Sequence, residues 1–167
     1  LRSHQTLLSI IAGLTVPSIT AGLKHGSVIR VMPNTPSQIG QGMSVWMATS
    51  AVPEATLSTA KALLSVLGQE WYVADEHYLD MATALSGSGP AYVFAFIESL
   101  VEAGVYMGMG REMATALVIQ TVQGSAQLAK ETGESPALLR ERVTSPGGTT
   151  AEALRALESR GFRSIIL

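Results

Sequence analysis

Ser145, Pro146, Gly147, Gly148, Thr149 and Thr150 stand consecutively, and a run with Ala153, Leu154, Leu157 and Glu158 at helical spacing follows at once. Three hydroxyls, a proline and two adjacent glycines directly before a helical pattern make a loop that feeds a helix N-terminus. The first turn of a helix carries unpaired N–H groups and the positive end of the dipole, and glycine lets a ligand reach the backbone without a Cβ in the way. Residues 143–150 therefore have the chemistry to hold a small carboxylate or a phosphate. Taken alone, the same stretch also reads as an ordinary glycine turn capped by Thr149 or Thr150.

Other reactive side chains are sparse. Asp75, Glu76, His77 and Asp80 crowd together, but acids in the first turn of a helix are what the dipole favours, and no further metal ligands accompany them. No metal is expected. His4, His25 and His77 are scattered and lack partners for a triad, so none is a convincing general base. Ser86, Gly87, Ser88 and Gly89 miss the Gly-x-Gly-x-x-Gly spacing and follow no strand directly, which favours a helix cap over a phosphate loop. The chain has no cysteine, hence no thiolate nucleophile and no disulfide framework, and the cytosol is the default compartment.

The elements that must position these groups fall into two kinds. Short apolar runs at residues 7–13, 27–32, 44–49 and 69–74 read as strands, the first two joined by a helix from Thr15 to Lys24 with Thr15 or Ser18 as cap and Pro17 in its first turn. A further helix covers 53–67, with Ala60, Leu63, Leu64 and Leu67 on one face. From Asp75 onward the pattern is helix after helix. Pro90 opens a long one over 91–109, with Ser88 or Gly89 as cap; 111–131 forms the next, closed by Gly133; Ser135 caps a short third that leads into the 143–150 loop. The expected boundary divides residues 1–74, part of an α/β sheet, from 75–167, all helical.

Composition narrows the partners. Of 167 residues, 47% are apolar and only 14% charged, so much of the surface must be covered or uncharged, as at a large subunit interface. The helix over 91–109 is apolar almost all round, its charges limited to Glu98 and Glu102, and must be buried on most faces. Met107 and Met109 at its end suit core or interface filling. A net charge of −2 without a Lys/Arg cluster excludes the basic footprint that nucleic acid requires. The uncharged segment 113–129 is interrupted by Gln120, Thr121, Gln123, Ser125 and Gln127 and makes a poor membrane span. No membrane partner is expected. The chain lacks an initiator Met, carries nothing like a signal peptide at its start and stops in mid-pattern at Ile165, Ile166 and Leu167, which reads as a fragment.

Three stretches together resemble the C-terminal part of the pyrroline-5-carboxylate reductase family: residues 28–36, 85–94, and 143–150 continuing to Gly161, Phe162 and Arg163. The resemblance implies the C-terminal part of a Rossmann-like nucleotide domain followed by a helical dimerisation domain, an assembly of at least two copies, and NADPH- or NADH-dependent reduction of a cyclic imino acid to L-proline. It further implies that the substrate carboxylate sits on Ser145 and the backbone N–H groups of Gly147, Gly148, Thr149 and Thr150. The Thr150 hydroxyl then meets the imine nitrogen and serves as the catalytic group, with Glu134 as a further acid near the ring. Ile10, Ile11, Ala12 and Asn34 match the segments that line the nicotinamide side. The family's glycine-rich turn for the cofactor pyrophosphate has no counterpart in these residues, so cofactor binding by this stretch alone is expected to be negligible. Two other readings fit parts of the pattern: an oligomerisation module without activity, and an oxidoreductase of the hydroxyacid dehydrogenase type, in which the loop at Ser145 has no assigned purpose.

Overall fold

In a computed structural model that describes residues Leu1–Leu167, a four-stranded sheet is followed by an unbroken series of helices. The sheet order is β1 (Leu7–Ser9), β2 (Val28–Met32), β3 (Gly42–Ala48) and β4 (Gly68–Tyr72). β1 and β2 are parallel, with Leu7 beside Val28, and are joined through α1 (Val16–Leu23). β2 and β3 are antiparallel, with Val31 beside Trp46; a 3₁₀ turn, Thr35–Ile39, reverses the chain between them. β3 and β4 are parallel again, joined through α2 (Glu54–Val66).

Alternation along β2 explains its two faces. Ile29 and Val31 join Trp46, Val52, Ala60 and Leu64 in one core cluster under α2, while Val28 and Arg30 are equally buried on the opposite face. The α2 stripe is narrower than its periodicity implies: Ala60 and Leu64 are buried, but Leu63 is 60% exposed and Leu67 lies past the helix end. A 100° step per residue places Leu63 too far round the helix from the Ala60–Leu64 line.

Local signals at the helix ends operate as their chemistry dictates. The Thr15 hydroxyl accepts from Ser18 N–H at 3.4 Å and Pro17 occupies the first turn of α1. Gly133 ends α5 (Arg111–Thr132) in the left-handed conformation at φ +64°, and the Ser135 hydroxyl accepts from Leu138 N–H at the start of α6 (Pro136–Arg142).

The segment around Ser86 departs from expectation. No cap interrupts the chain there; α3 (His77–Ala82) passes through a π turn, Thr83–Gly87, into α4 (Gly89–Tyr106). Ser88 N–H donates to Thr83 C=O at 2.8 Å, the wide i to i−5 bond of a π turn. Pro90 has no N–H to return to the carbonyl four residues earlier, and that carbonyl, Ser86 C=O, accepts instead from Asn34 Nδ2 at 3.1 Å. A proline inside a helix is tolerated because a side chain from the sheet takes the vacated bond.

Two compact units result, Leu1–Phe96 and Ile97–Leu167, so the division falls inside α4, later than the last strand. The run His77–Tyr106 is by length and composition able to cross a membrane, and this is a different segment from the 113–129 stretch that sequence pattern singles out. Within the chain α4 is far from buried on most faces: only Val101 and Gly104 are inaccessible, while Tyr92, Phe94 and Tyr106 are open.

Candidate functional site

The loop before α7 (Thr149–Ser159) is a closed turn. Gly148 N–H donates to Ser145 C=O at 3.1 Å, with Pro146 second in the turn and Gly147 third at φ +69°. Those are the sequence and the dihedral of a type II turn, in which proline presets the second position and glycine supplies the positive φ of the third. Gly148 has a different constraint: a Cβ there would meet the Ser145 hydroxyl and turn it out of its present position. The turn therefore folds the Ser145 side chain back against the backbone at the mouth of α7.

Neither Thr149 nor Thr150 is the N-cap. Gly148 occupies that position without a side-chain cap, and both threonines lie in the first helical turn. The first intrahelical bond runs from Glu152 N–H to Gly148 C=O at 3.3 Å. The N–H groups of Thr149, Thr150 and Ala151 precede it and have no helical acceptor. Donors for an anion are thus Thr149 and Thr150 N–H with the Ser145 and Thr150 hydroxyls at the same helix end. Gly148 N–H, expected to join them, is already committed to closing the turn. Glu134 is held by Arg142, whose Nη1 lies 2.9 Å from Oε1 and 2.7 Å from Oε2.

The second group of expected residues lies in the other compact unit. Ile10 and Ile11 follow β1 directly and are largely exposed; with Leu7, Leu14, Ile19 and Leu23 they line an open cleft of about 560 Å³ between β1 and α1. Its apolar walls suit a flat ring such as nicotinamide. The N-terminus of α1 beside it does not suit a pyrophosphate, because Glu76 Oε1 already accepts from Val16 N–H at 2.7 Å and places a carboxylate where a phosphate would have to sit. Asn34 stands apart from the cleft. Its Oδ1 accepts from Met43 N–H at 2.9 Å and its Nδ2 donates to Ser86 C=O, so both ends of the amide are used in bracing the sheet against the π turn.

Sequence reasoning missed Arg30. It is 2% exposed in the middle of β2, with Nη1 2.5 Å from Glu76 Oε1 and Nη2 3.4 Å from Asp80 Oδ1. Glu76 and Asp80 are therefore counter-ions of a buried guanidinium, while Asp75 Oδ1 accepts from His77 N–H at 2.9 Å. No group of three or more His, Asp or Glu side chains converges anywhere in the chain. The available signal was an arginine inside a strand otherwise made of Val, Ile and Met, since a buried charge requires a partner.

Comparison with known proteins agrees with this architecture. The family profile for pyrroline-5-carboxylate reductase dimerisation matches residues 76–167. A pyrroline-5-carboxylate reductase of Synechocystis sp. is 45% identical over 161 residues, covering 96% of this chain and 60% of the relative. The Escherichia coli K12 protein of the same name is 40% identical, covering 100% and 62%. A crystal structure of Plasmodium falciparum pyrroline carboxylate reductase with NADP bound superposes with a TM-score of 0.93 at 34% identity, covering 98% of this chain and 66% of that one. The chain spans about three-fifths of the length of the curated relatives it matches. With its helical part matched by the dimerisation profile throughout, the chain belongs to the pyrroline-5-carboxylate reductase family.

Proposed function

We propose that the protein acts in proline biosynthesis in the cytoplasm, reducing L-1-pyrroline-5-carboxylate to L-proline with NADPH or NADH, as a homodimer or larger assembly built on residues 75–167. The observation that carries this reading is the turn at Ser145, which presents two free N–H groups and two hydroxyls at one helix end, the first-turn acid there, Glu152, being paired with Arg155. A substrate with one carboxylate beside a ring nitrogen matches that set. The carboxylate rests on the Ser145 hydroxyl and on Thr149 and Thr150 N–H, and the Thr150 hydroxyl meets the nitrogen. The nicotinamide supplies the hydride, so the protein needs only to bind, orient and polarise. That agrees with the absence of a His or carboxylate constellation. Ile10 and Ile11 form the apolar wall on the nicotinamide side, with Ala12 following them in the chain; Asn34, apart from that wall, braces the sheet; and Glu134, turned from Arg142, is the available acid near the ring.

Dimerisation is supported independently by the exposed apolar surface of α4 and α5, which a second copy covers more economically than lipid does, because α5 is interrupted by polar residues. A hydroxyacid dehydrogenase reading gains no support from the loop at Ser145. A module without activity remains the alternative for residues that do not hold the pyrophosphate.

Thr150→Val tests the assignment in the full-length reductase that contains these residues. It keeps the shape and deletes the hydroxyl. Loss of a hydrogen bond to a charge-developing nitrogen corresponds to about a 10- to 150-fold fall in kcat/KM for the imine. Ser145→Ala should act chiefly on KM. If kcat/KM in Thr150→Val stays within about twofold of the parent, the hydroxyl has no role in the reaction.

A further inference from the structure

One oxygen of Glu76 serves two distant parts of the first unit. Glu76 Oε1 accepts from Arg30 Nη1 at 2.5 Å and from Val16 N–H at 2.7 Å. Arg30 is fixed in β2, where it lies beside Ser9 of β1 and Met47 of β3, and its guanidinium is buried. Val16 is the first residue of α1, immediately after the connection through Gly13, Leu14 and Thr15 that follows Ile10 and Ile11. Glu76 itself directly precedes α3, the start of the helical run to Tyr106. The carboxylate thus ties the entrance of α1 to the middle of the sheet and to the root of that helix.

This tie lies at the entrance of the helix that forms one wall of the cleft. One wall is the end of β1 with Ile10 and Ile11, and the other is α1 with Ser18, Ile19 and Gly22. At its helix end the β1–α1 connection is also held by Thr15, whose hydroxyl accepts from Ser18 N–H at 3.4 Å and pairs with the Ser18 hydroxyl at 2.9 Å. A charge-assisted bond of 2.7 Å onto an otherwise unpaired first-turn N–H is the stronger restraint of the two.

We infer that Glu76 is a positioning residue for the cofactor cleft: through Val16 N–H it holds α1 at the separation from β1 that admits the nicotinamide ring, with Arg30 fixing the carboxylate from below. The inference rests on the assignment of that cleft to the nicotinamide. It makes the segment leading into α3 part of the cofactor site although Glu76 touches no cofactor.

Val16→Pro isolates the effect. Proline is favoured at the first helical position, Thr15 already has the extended backbone that a following proline requires at φ −75° and ψ 153°, and the Arg30–Glu76 ion pair is untouched. The N–H is deleted and the half-buried isopropyl group is replaced by the ring. Glu76→Gln is the second variant, keeping an acceptor oxygen while removing its charge. Two readouts are needed: amide hydrogen exchange of residues 10–19 and direct titration of NADPH in the full-length reductase without imine present. Expected results are exchange faster by about tenfold or more in that segment with residues 28–32 still protected, and an NADPH dissociation constant raised roughly 3- to 30-fold in Val16→Pro, less in Glu76→Gln. A purely structural tie would lower the melting temperature and leave the dissociation constant unchanged, and an unchanged constant in both folded variants overturns the inference. Failure of the parent to bind NADPH at all would instead overturn the assignment of the cleft, and the inference with it; binding without imine reduction would contradict only the proposed reaction.

Discussion

The two compact units solve burial differently. In Leu1–Phe96 a sheet of short strands is covered on one face by α2 and hides Val28, Ile29, Val31, Trp46 and Leu64 almost completely; even its one deeply buried charge, Arg30, finds two carboxylates within the unit. In Ile97–Leu167 only Val101, Gly104 and Ala114 are buried, and Tyr106, Met107, Met113, Leu117 and Leu128 are left open. Fully burying one such side chain is worth about 1.5–3 kcal/mol, so the unfilled part of the second unit amounts to a large share of a domain's stability. A sheet covered by helices can close its core within one chain, whereas helices that are apolar all round cannot. The second unit is an unfinished core whose other half is best supplied by a second copy.

If that contrast is right, the most damaging single change belongs to the first unit. Gly68 opens β4 at φ +138°, and a Cβ there would collide with the Gly42 backbone. Both faults act together in Gly68→Ala, which should cost about 3 kcal/mol or more, read by chemical denaturation. Gly133, at φ +64° with open space around it, has only the first of those constraints, so Gly133→Ala should cost roughly 1 kcal/mol. Equal losses at the two positions would remove the distinction between a closed unit and an open one.

A change on the open apolar surface should separate association from folding. Met113 and Leu117 stand one turn apart on α5 and both are about half exposed. Leu117→Glu should weaken self-association by about 10-fold or more, the equivalent of one buried leucine, while the secondary structure of the dissociated chain persists. Melting temperatures that become independent of protein concentration in this variant, but not in the parent, are the expected signature.

The smallest expected effect contrasts ion pairs. Arg30 is buried with Glu76, whereas Glu102 and Arg111, at 56% and 60% exposure, join α4 to α5 in open solvent. The hydrogen bond from Arg111, and then its charge, hold the Glu102 carboxyl below the ordinary value of 4.5. A depressed carboxyl stabilises above its unfolded value, and that contribution disappears as pH falls through the lowered one. The melting-temperature difference between parent and Arg111→Gln should therefore be small near neutrality, shrink in high salt and vanish on acidification below the usual carboxylate range. A difference that grows on acidification would contradict the cause given for the shift.

Much of this was legible in the sequence, and the gaps have physical reasons. Thr15, Ser135 and Gly133 mark helix ends because capping is decided by neighbours within a few residues. The tight turn at Ser145 was legible, since proline and glycine fix its dihedrals locally. The path through Ser86 was not. Pro90 normally starts a helix, and its accommodation depends on Asn34, 52 residues before Ser86 along the chain. Arg30 and its acids were equally hidden, because pairs separated by 46 and 50 residues leave no periodic trace. The openness of α4 was misread for a related reason: apolarity on every face predicts burial but does not say which chain supplies the cover.

That last point can be measured directly. Sedimentation of residues 1–167 at micromolar concentration should show the mass of two chains or a multiple of it, with dissociation accompanied by increased binding of a hydrophobic dye. A compact monomer that binds no dye would contradict the claim that the second unit is completed by another copy.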